Sequence, residues 1–240
     1  MKEDWTVLDF PDSKADEARA LESFEDALNQ HDSDVAAVII SPLQSLTYQH
    51  ASNDFYNQIR NLALERGVTF IVDETHTGCG GTGSFWAHSN WNLDRAPDMV
   101  TFGRRTQVSG FYSSDDFLPE EADWHFVNSK TGDGVRLLQF KTIQESIKSH
   151  HLLQHVTDVG GALKSSLEKL DGISNVRGLG TMLAFDTKNI DTNFDLIHKL
   201  KQSGVNISAA GPTSISTKPA LIFEEKHSQE FITTLKKSLK

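Results

Sequence analysis

Cysteine occurs once in these 240 residues, so no disulfide can close within the chain, and the count fits a reducing compartment. The lone thiol, Cys79, has no partner nearby in sequence and reads as a small residue in a glycine-containing loop. No apolar run approaches the ~20 residues that a membrane span requires. Lysine and arginine total 23 against 33 aspartates and glutamates, a formal charge of −10. They form no basic run, which argues against a nucleic-acid groove or a polyanion-binding surface. The opening residues, Met1 to Trp5, are acidic and carry neither an apolar signal core nor an arginine-rich transit pattern. What is present is the composition of a folded domain: 38% hydrophobic and 23% charged residues.

The hydrophobic pattern predicts alternating helices and strands. Ala18, Leu21, Phe24, Ala27 and Leu28 share a face of a helix over 16–29. Val35 to Ile40 is a continuous apolar run, expected of a parallel strand covered on both faces, and Pro42 ends it. Ser52 or Asn53 caps a second helix that stops at Gly67, and a buried strand over 68–73 follows at once. Residues 35–73 thus read as a βαβ unit, with further strands expected at 98–102 and 108–112. Phe111-Tyr112 and Trp124-His-Phe126 suggest shorter pieces leading to a helix over 134–150 that buries Leu137, Leu138, Phe140, Ile143 and Ile147. Another helix follows from 152 to 170. The texture then changes to an α+β module, with strands within 175–186, near 205–208 and over 214–223, and helices at 191–203 and 226–238. The predicted division is a larger α/β domain over 1–160 and a small domain over 161–240.

Asp73 stands at the carboxyl end of a buried strand, where open α/β sheets place ligands. A carboxylate there needs a cation or hydrogen-bond donors. A protonated pyridine nitrogen would serve; so would an arginine, or a neighbouring helix that the aspartate caps. Glycines 78, 80, 81 and 83 follow, but they fit neither phosphate-loop fingerprint and on their own read as a turn.

The run Val72-Asp73-Glu74, Thr77-Gly78, and Thr82-Gly-Ser-Phe-Trp-Ala-His88 resembles the cofactor site of class III, 4-aminobutyrate aminotransferase-like enzymes that use pyridoxal phosphate. The likeness extends through His50-Ala-Ser-Asn-Asp-Phe-Tyr56, Gly132-Asp133, Val176-Arg-Gly-Leu-Gly-Thr181 and Lys218-Pro-Ala-Leu-Ile-Phe223, and is collinear from about residue 17 onward. It implies part of the type-I large domain, a mostly parallel sheet with helices on both faces, plus a small α+β C-terminal domain. It also implies subunits that dimerise around the active site and, for many members, a mitochondrial matrix location, with the cytoplasm as the other intracellular choice.

By the resemblance, Asp73 would hold the pyridine nitrogen, His76 would stand where a glutamine touches the ring oxygen, and Ser129 would reach the phosphate of a partner subunit. The Schiff-base lysine position falls on Arg104, with Arg105 on a neighbouring basic position. A guanidinium stays protonated and is a poor nucleophile, so covalent attachment of the cofactor is not expected and non-covalent pyridoxal phosphate is the remaining option. Arg104 reads either as a bridge to phosphate or carboxylate, Asp73 included, or as a salt-bridged loop residue. Lys130 and Lys141 do not follow a suitable strand. Leu46 replaces a substrate-site glutamate, Tyr48 falls in a glycine stretch, and Lys218 keeps a cation near a substrate-arginine position. The likeness begins midway through the family's length. These departures imply a degenerate aminotransferase that is catalytically inactive and acts as a structural or regulatory subunit. Its partner would be a second copy, a complementary N-terminal half, or a larger complex. The alternative is a functional or split transaminase.

Overall fold

A computed structural model describes residues 5–31, 35–117 and 132–240. Two four-stranded sheets organise them. In the first, β1 (Ala37–Ile40), β2 (Thr69–Asp73) and β3 (Met99–Phe102) run parallel, and β4 (Gly110–Ser113) closes the order antiparallel to β3. Helix α1 (Glu17–His31) buries Phe24 and Leu28, with Ala20 and Leu21 packed beside them; Ala18 is exposed, contrary to expectation. Helix α2 (Asn53–Glu65) starts where the Ser52 hydroxyl accepts the Phe55 N–H at 3.2 Å. Gly67, with φ of 67°, turns the chain from α2 into β2.

Phe55, Tyr56, Ile59, Phe70, Val72 and Val100 form the core between these helices and the sheet. Arg60 is fully buried within it, forking onto Asp98 at 2.9 and 3.1 Å, while Asp98 also accepts the Phe70 N–H at 2.8 Å. The pair therefore locks α2 to the starts of both central strands.

Two expectations fail here. Among the described residues β1 pairs with β2 alone and is an edge strand, so Ile39 is 45% exposed and only part of the apolar run is covered. Helix α3 (Gly134–Ser149) buries Ile147 alone; Leu137 and Leu138 are exposed, and Phe140 and Ile143 half-buried. It packs against helix α4 (Leu152–Leu167) and the turn after β3, which together cover only one flank.

The second sheet has the order β5 (Ser174–Leu179), β6 (Met182–Asp186), β8 (Ser214–Thr217), β7 (Ser208–Ala209), all antiparallel. Strand β8 stops before Lys218, shorter than the predicted 214–223, because the chain turns at Pro219. Helices α4, α5 (Ile190–Gln202) and α6 (Glu225–Ser238) pack on this sheet around Leu163, Leu167, Phe185, Leu196, Leu200 and Leu235. Among the described residues no helix is long and apolar enough to cross a membrane. The Trp124-His-Phe126 piece, Ser129 and Lys130 lie outside the described residues.

Candidate functional site

Asp73 ends β2 opposite Thr101 of β3, and this register sets its partners. Its Oδ1 accepts the Thr75 N–H and the Thr101 hydroxyl, both at 2.9 Å. Burial alone would push this carboxyl up, but the hydrogen bonds from Thr75 and Thr101 and the nearby His76 outweigh it and hold the group below the ordinary carboxylate value. Asp73 is thus satisfied by its own turn and the next strand, not by an arginine. Glu74 is fully buried and fixed by the Thr77 hydroxyl, by the His88 N–H at 2.9 Å and by His88 Nδ1 at 2.8 Å, which makes it a structural anchor for the following loop.

The glycine loop serves close packing. A side chain at Gly180 would fall 2.6 Å from Thr82 C and 2.7 Å from Gly81 O, and one at Gly160 would meet Gly180 O at 2.2 Å. The loop, the β5–β6 turn and α4 therefore touch backbone to backbone. Arg177 adds a second fastening, its Nε donating to Thr47 O at 2.6 Å while Nη1 meets Asp186 at 2.9 Å.

Arg104 follows β3 in a short 3₁₀ turn with φ of 55°, a left-handed conformation unusual for a side-chain-bearing residue, and its side chain is exposed. Arg105 turns inward: Nη2 donates to Pro219 O at 3.1 Å, and Nε is buried without a partner. That bond brings the turn after β3 against the end of β8, so Lys218 joins the two arginines. Burial lowers the Lys218 pKa, and Arg105 and Arg104 lower it further. Burial also lowers His76, and the charges of Lys218 and Arg104 outweigh the opposing pull of Asp73. His76 is therefore neutral at pH 7.

Asp73, His76, Arg104, Arg105 and Lys218 thus lie within electrostatic reach of one another, where the turns after β2 and β3 meet the end of β8. Sequence reasoning missed the role of Tyr48. It is buried at φ 54°, packs with Leu43, Met182 and Ala184, and sets its hydroxyl beside Ser216. Its large ring at the edge of a run of polar residues was the available signal. Leu46 instead points to solvent, 63% exposed. Among the described residues no group of three or more histidine, cysteine or acidic side chains is placed to hold a metal.

Residues 3–239 match the family model for class III aminotransferases, and the chain belongs to that family. It is 34% identical to the 4-aminobutyrate aminotransferase of Emericella nidulans over 99% of this chain and 51% of that protein. It is likewise 34% identical to the mitochondrial 4-aminobutyrate aminotransferase of Mus musculus, over 96% of this chain and 50% of that protein. Among solved structures, lysine aminotransferase from M. tuberculosis in the internal aldimine form superposes with a TM-score of 0.85 at 27% identity, covering 98% of this chain and 56% of that one. The chain spans about half the length of the curated relatives it matches. The fold is thereby that of the type-I aminotransferases, with a parallel-rich sheet.

The family is pyridoxal phosphate-dependent. Asp73 fits that group in part: its carboxyl is held below the ordinary value and stays ionised, as a protonated pyridine nitrogen requires. The turn after β3 carries two guanidinium groups, Arg104 and Arg105, and no amine.

Proposed function

We propose that this chain is a degenerate 4-aminobutyrate aminotransferase-like protein that does not transfer amino groups and serves as a structural or regulatory subunit of a larger assembly. One observation carries the reading: Arg104, in the turn after β3, stands where the family resemblance puts the lysine. Covalent linkage and proton shuttling both need an amine that can become neutral, and a guanidinium stays charged. Bound pyridoxal phosphate would supply an electron sink. Asp73 would fix its ring nitrogen and neutral His76 would lie at the ring's edge, so binding is non-covalent.

A subunit role is supported by surfaces that the described residues leave uncovered. Ile39 on edge strand β1 and Val135, Leu137 and Leu138 on α3 are exposed apolar groups suited to contact with another polypeptide. We assign residues 1–160 to a partial large domain and 161–240 to a small one. The partner is a second copy, a complementary aminotransferase half or a larger complex, and the mammalian relatives' names suggest the mitochondrion as its compartment.

Native mass analysis of the protein from its source, run beside a 4-aminobutyrate transamination assay with added pyridoxal phosphate, tests this. The expected result is a complex heavier than one chain and no turnover. Turnover by the purified chain alone would instead favour the functional-transaminase reading.

A further inference from the structure

The chain from β8 to α6, residues 218–224, forms an irregular strap that crosses the glycine loop. Its Leu221 lies against Gly80, 3.3 Å from where a side chain there would begin. Side chains grip the strap's backbone at both ends. At the start, Arg105 Nη2 donates to Pro219 O at 3.1 Å. At the far end, His155 Nε2 of α4 lies 2.9 Å from Phe223 O, and His227 Nδ1 of α6 lies 3.0 Å from the Glu224 nitrogen. Between these grips, the Phe223 N–H closes a turn on Ala220 O at 3.0 Å.

The partners fix the proton on each ring. A carbonyl only accepts, so His155 Nε2 carries a hydrogen; a backbone N–H only donates, so His227 Nδ1 carries none. The two histidines therefore answer acid in opposite ways. A protonated His155 still donates to Phe223 O. A protonated His227 sets a donor against a donor, and the bond to Glu224 is lost. Because Phe223 also packs its ring on His227, with centroids 5.6 Å apart, the two grips share one junction.

We propose that His227 is a pH-operated latch: as a neutral ring it fastens the end of the strap to α6 by capping Glu224, and on protonation it lets that end go. Glu224, Glu225 and Glu230 on α6 favour the charged ring, while Lys226 and the helix N-terminus oppose it. Lys226 is itself taken up by Glu224 at 2.7 Å. From α4, the titratable group turned to this junction is His155. The fastened state binds fewer protons than the released one, so fastening is present at higher pH and is lost as pH falls. Histidine ordinarily changes charge between about pH 5 and 8, which sets the window. The latch operates whether or not the chain transfers amino groups.

Amide exchange of the 240-residue chain, read residue by residue by NMR at about pH 7.5 and about pH 5.5 with intrinsic rates divided out, tests this. Protection of the Glu224 amide should fall about fivefold at the lower pH, as expected for one capping bond lost. His227→Gln keeps an acceptor at the position where capping boxes favour glutamine, and does not titrate. In that variant the protection of Glu224 should be equal at both pH values. Nitrogen NMR of the ring at the higher pH should show Nδ1 without a hydrogen. Unchanged Glu224 protection in the wild type, an equal fall in His227→Gln, or a hydrogen on Nδ1 at the higher pH overturns the proposal. So does a response abolished by His155→Gln and kept by His227→Gln, which would place the switch on the other ring.

Discussion

Helix α4 holds two adjacent glycines with opposite surroundings, and substituting each by alanine separates two effects of similar size. In a helix interior, glycine to alanine gains about 0.8–1 kcal/mol, chiefly because glycine has more backbone freedom to lose. At Gly161, which is exposed, nothing lies within 4 Å of an added methyl, so the full gain is expected. At Gly160 the methyl would fall 2.2 Å from the carbonyl oxygen of Gly180, and Gly180 is itself pressed against Gly81 and Thr82. Neither backbone can yield without opening the joint between α4, the β5–β6 turn and the glycine loop. Overpacking of this kind costs about 1–3 kcal/mol or more, and contact with backbone puts it at the upper end. Gly160→Ala should therefore lose about 2 kcal/mol net while Gly161→Ala gains nearly 1. For a chain of this size that separates their melting temperatures by roughly 6–12 °C. Thermal unfolding followed by circular dichroism reads the difference. Equal stabilisation by both substitutions would refute the claim that backbone contact at Gly180 fixes the joint.

Other substitutions and conditions test the remaining structural claims. Arg60→Leu removes one partner of a buried fork and should cost about 3 kcal/mol in urea unfolding, the lower end for such pairs because Asp98 keeps the Phe70 N–H. A cost under ~1 kcal/mol would mean the fork contributes little beyond specificity. Burial pushes the Cys79 thiol up to about 11, so iodoacetamide at pH 8 should leave it unmodified in the folded chain and alkylate it once urea is added. Rapid native labelling would contradict its placement. Burial pushes the Asp186 carboxyl up, but bonds from Ser214, Asn175 and Arg177 together bring it below 3.8. Near that pH the folded chain then binds fewer protons than the unfolded one. The contribution is therefore fully present above the unfolded value and is lost as pH falls through the folded one. Asp186→Asn should flatten the acid limb of the stability profile; an unchanged limb would show that the network is not coupled to folding.

The strand ending at Asp73, the Ser52 cap and the stop at Gly67 were legible because each is a local signal: an apolar run, a capping hydroxyl, a residue free to take positive φ. The direction of β4 was not, since an apolar pattern does not encode parallel or antiparallel pairing. The apolar positions of α3 read as core because burial was inferred from residue type, whereas the surface that would cover them is not among the described residues. The glycine loop read on its own as a turn, and its glycines serve contacts with Thr157, Gly180 and Met182, partners more than seventy residues away that no local window contains. At the candidate site, Asp73, His76, Arg104 and Lys218 could each be named from the sequence. That Arg105 reaches Pro219, and that Tyr48 lies buried beside Ser216, depends on the meeting of two sheets.

The central claim is that the turn after β3, where the family resemblance puts the Schiff-base lysine, carries no amine able to hold pyridoxal phosphate covalently. Incubating the purified chain with equimolar pyridoxal phosphate, reducing with borohydride and mapping the peptides tests it most directly. The account predicts no stoichiometric label on any single lysine in the native chain, and label at position 104 once Arg104→Lys is introduced. A stoichiometric adduct on the unsubstituted chain, at Lys218 above all, would contradict it.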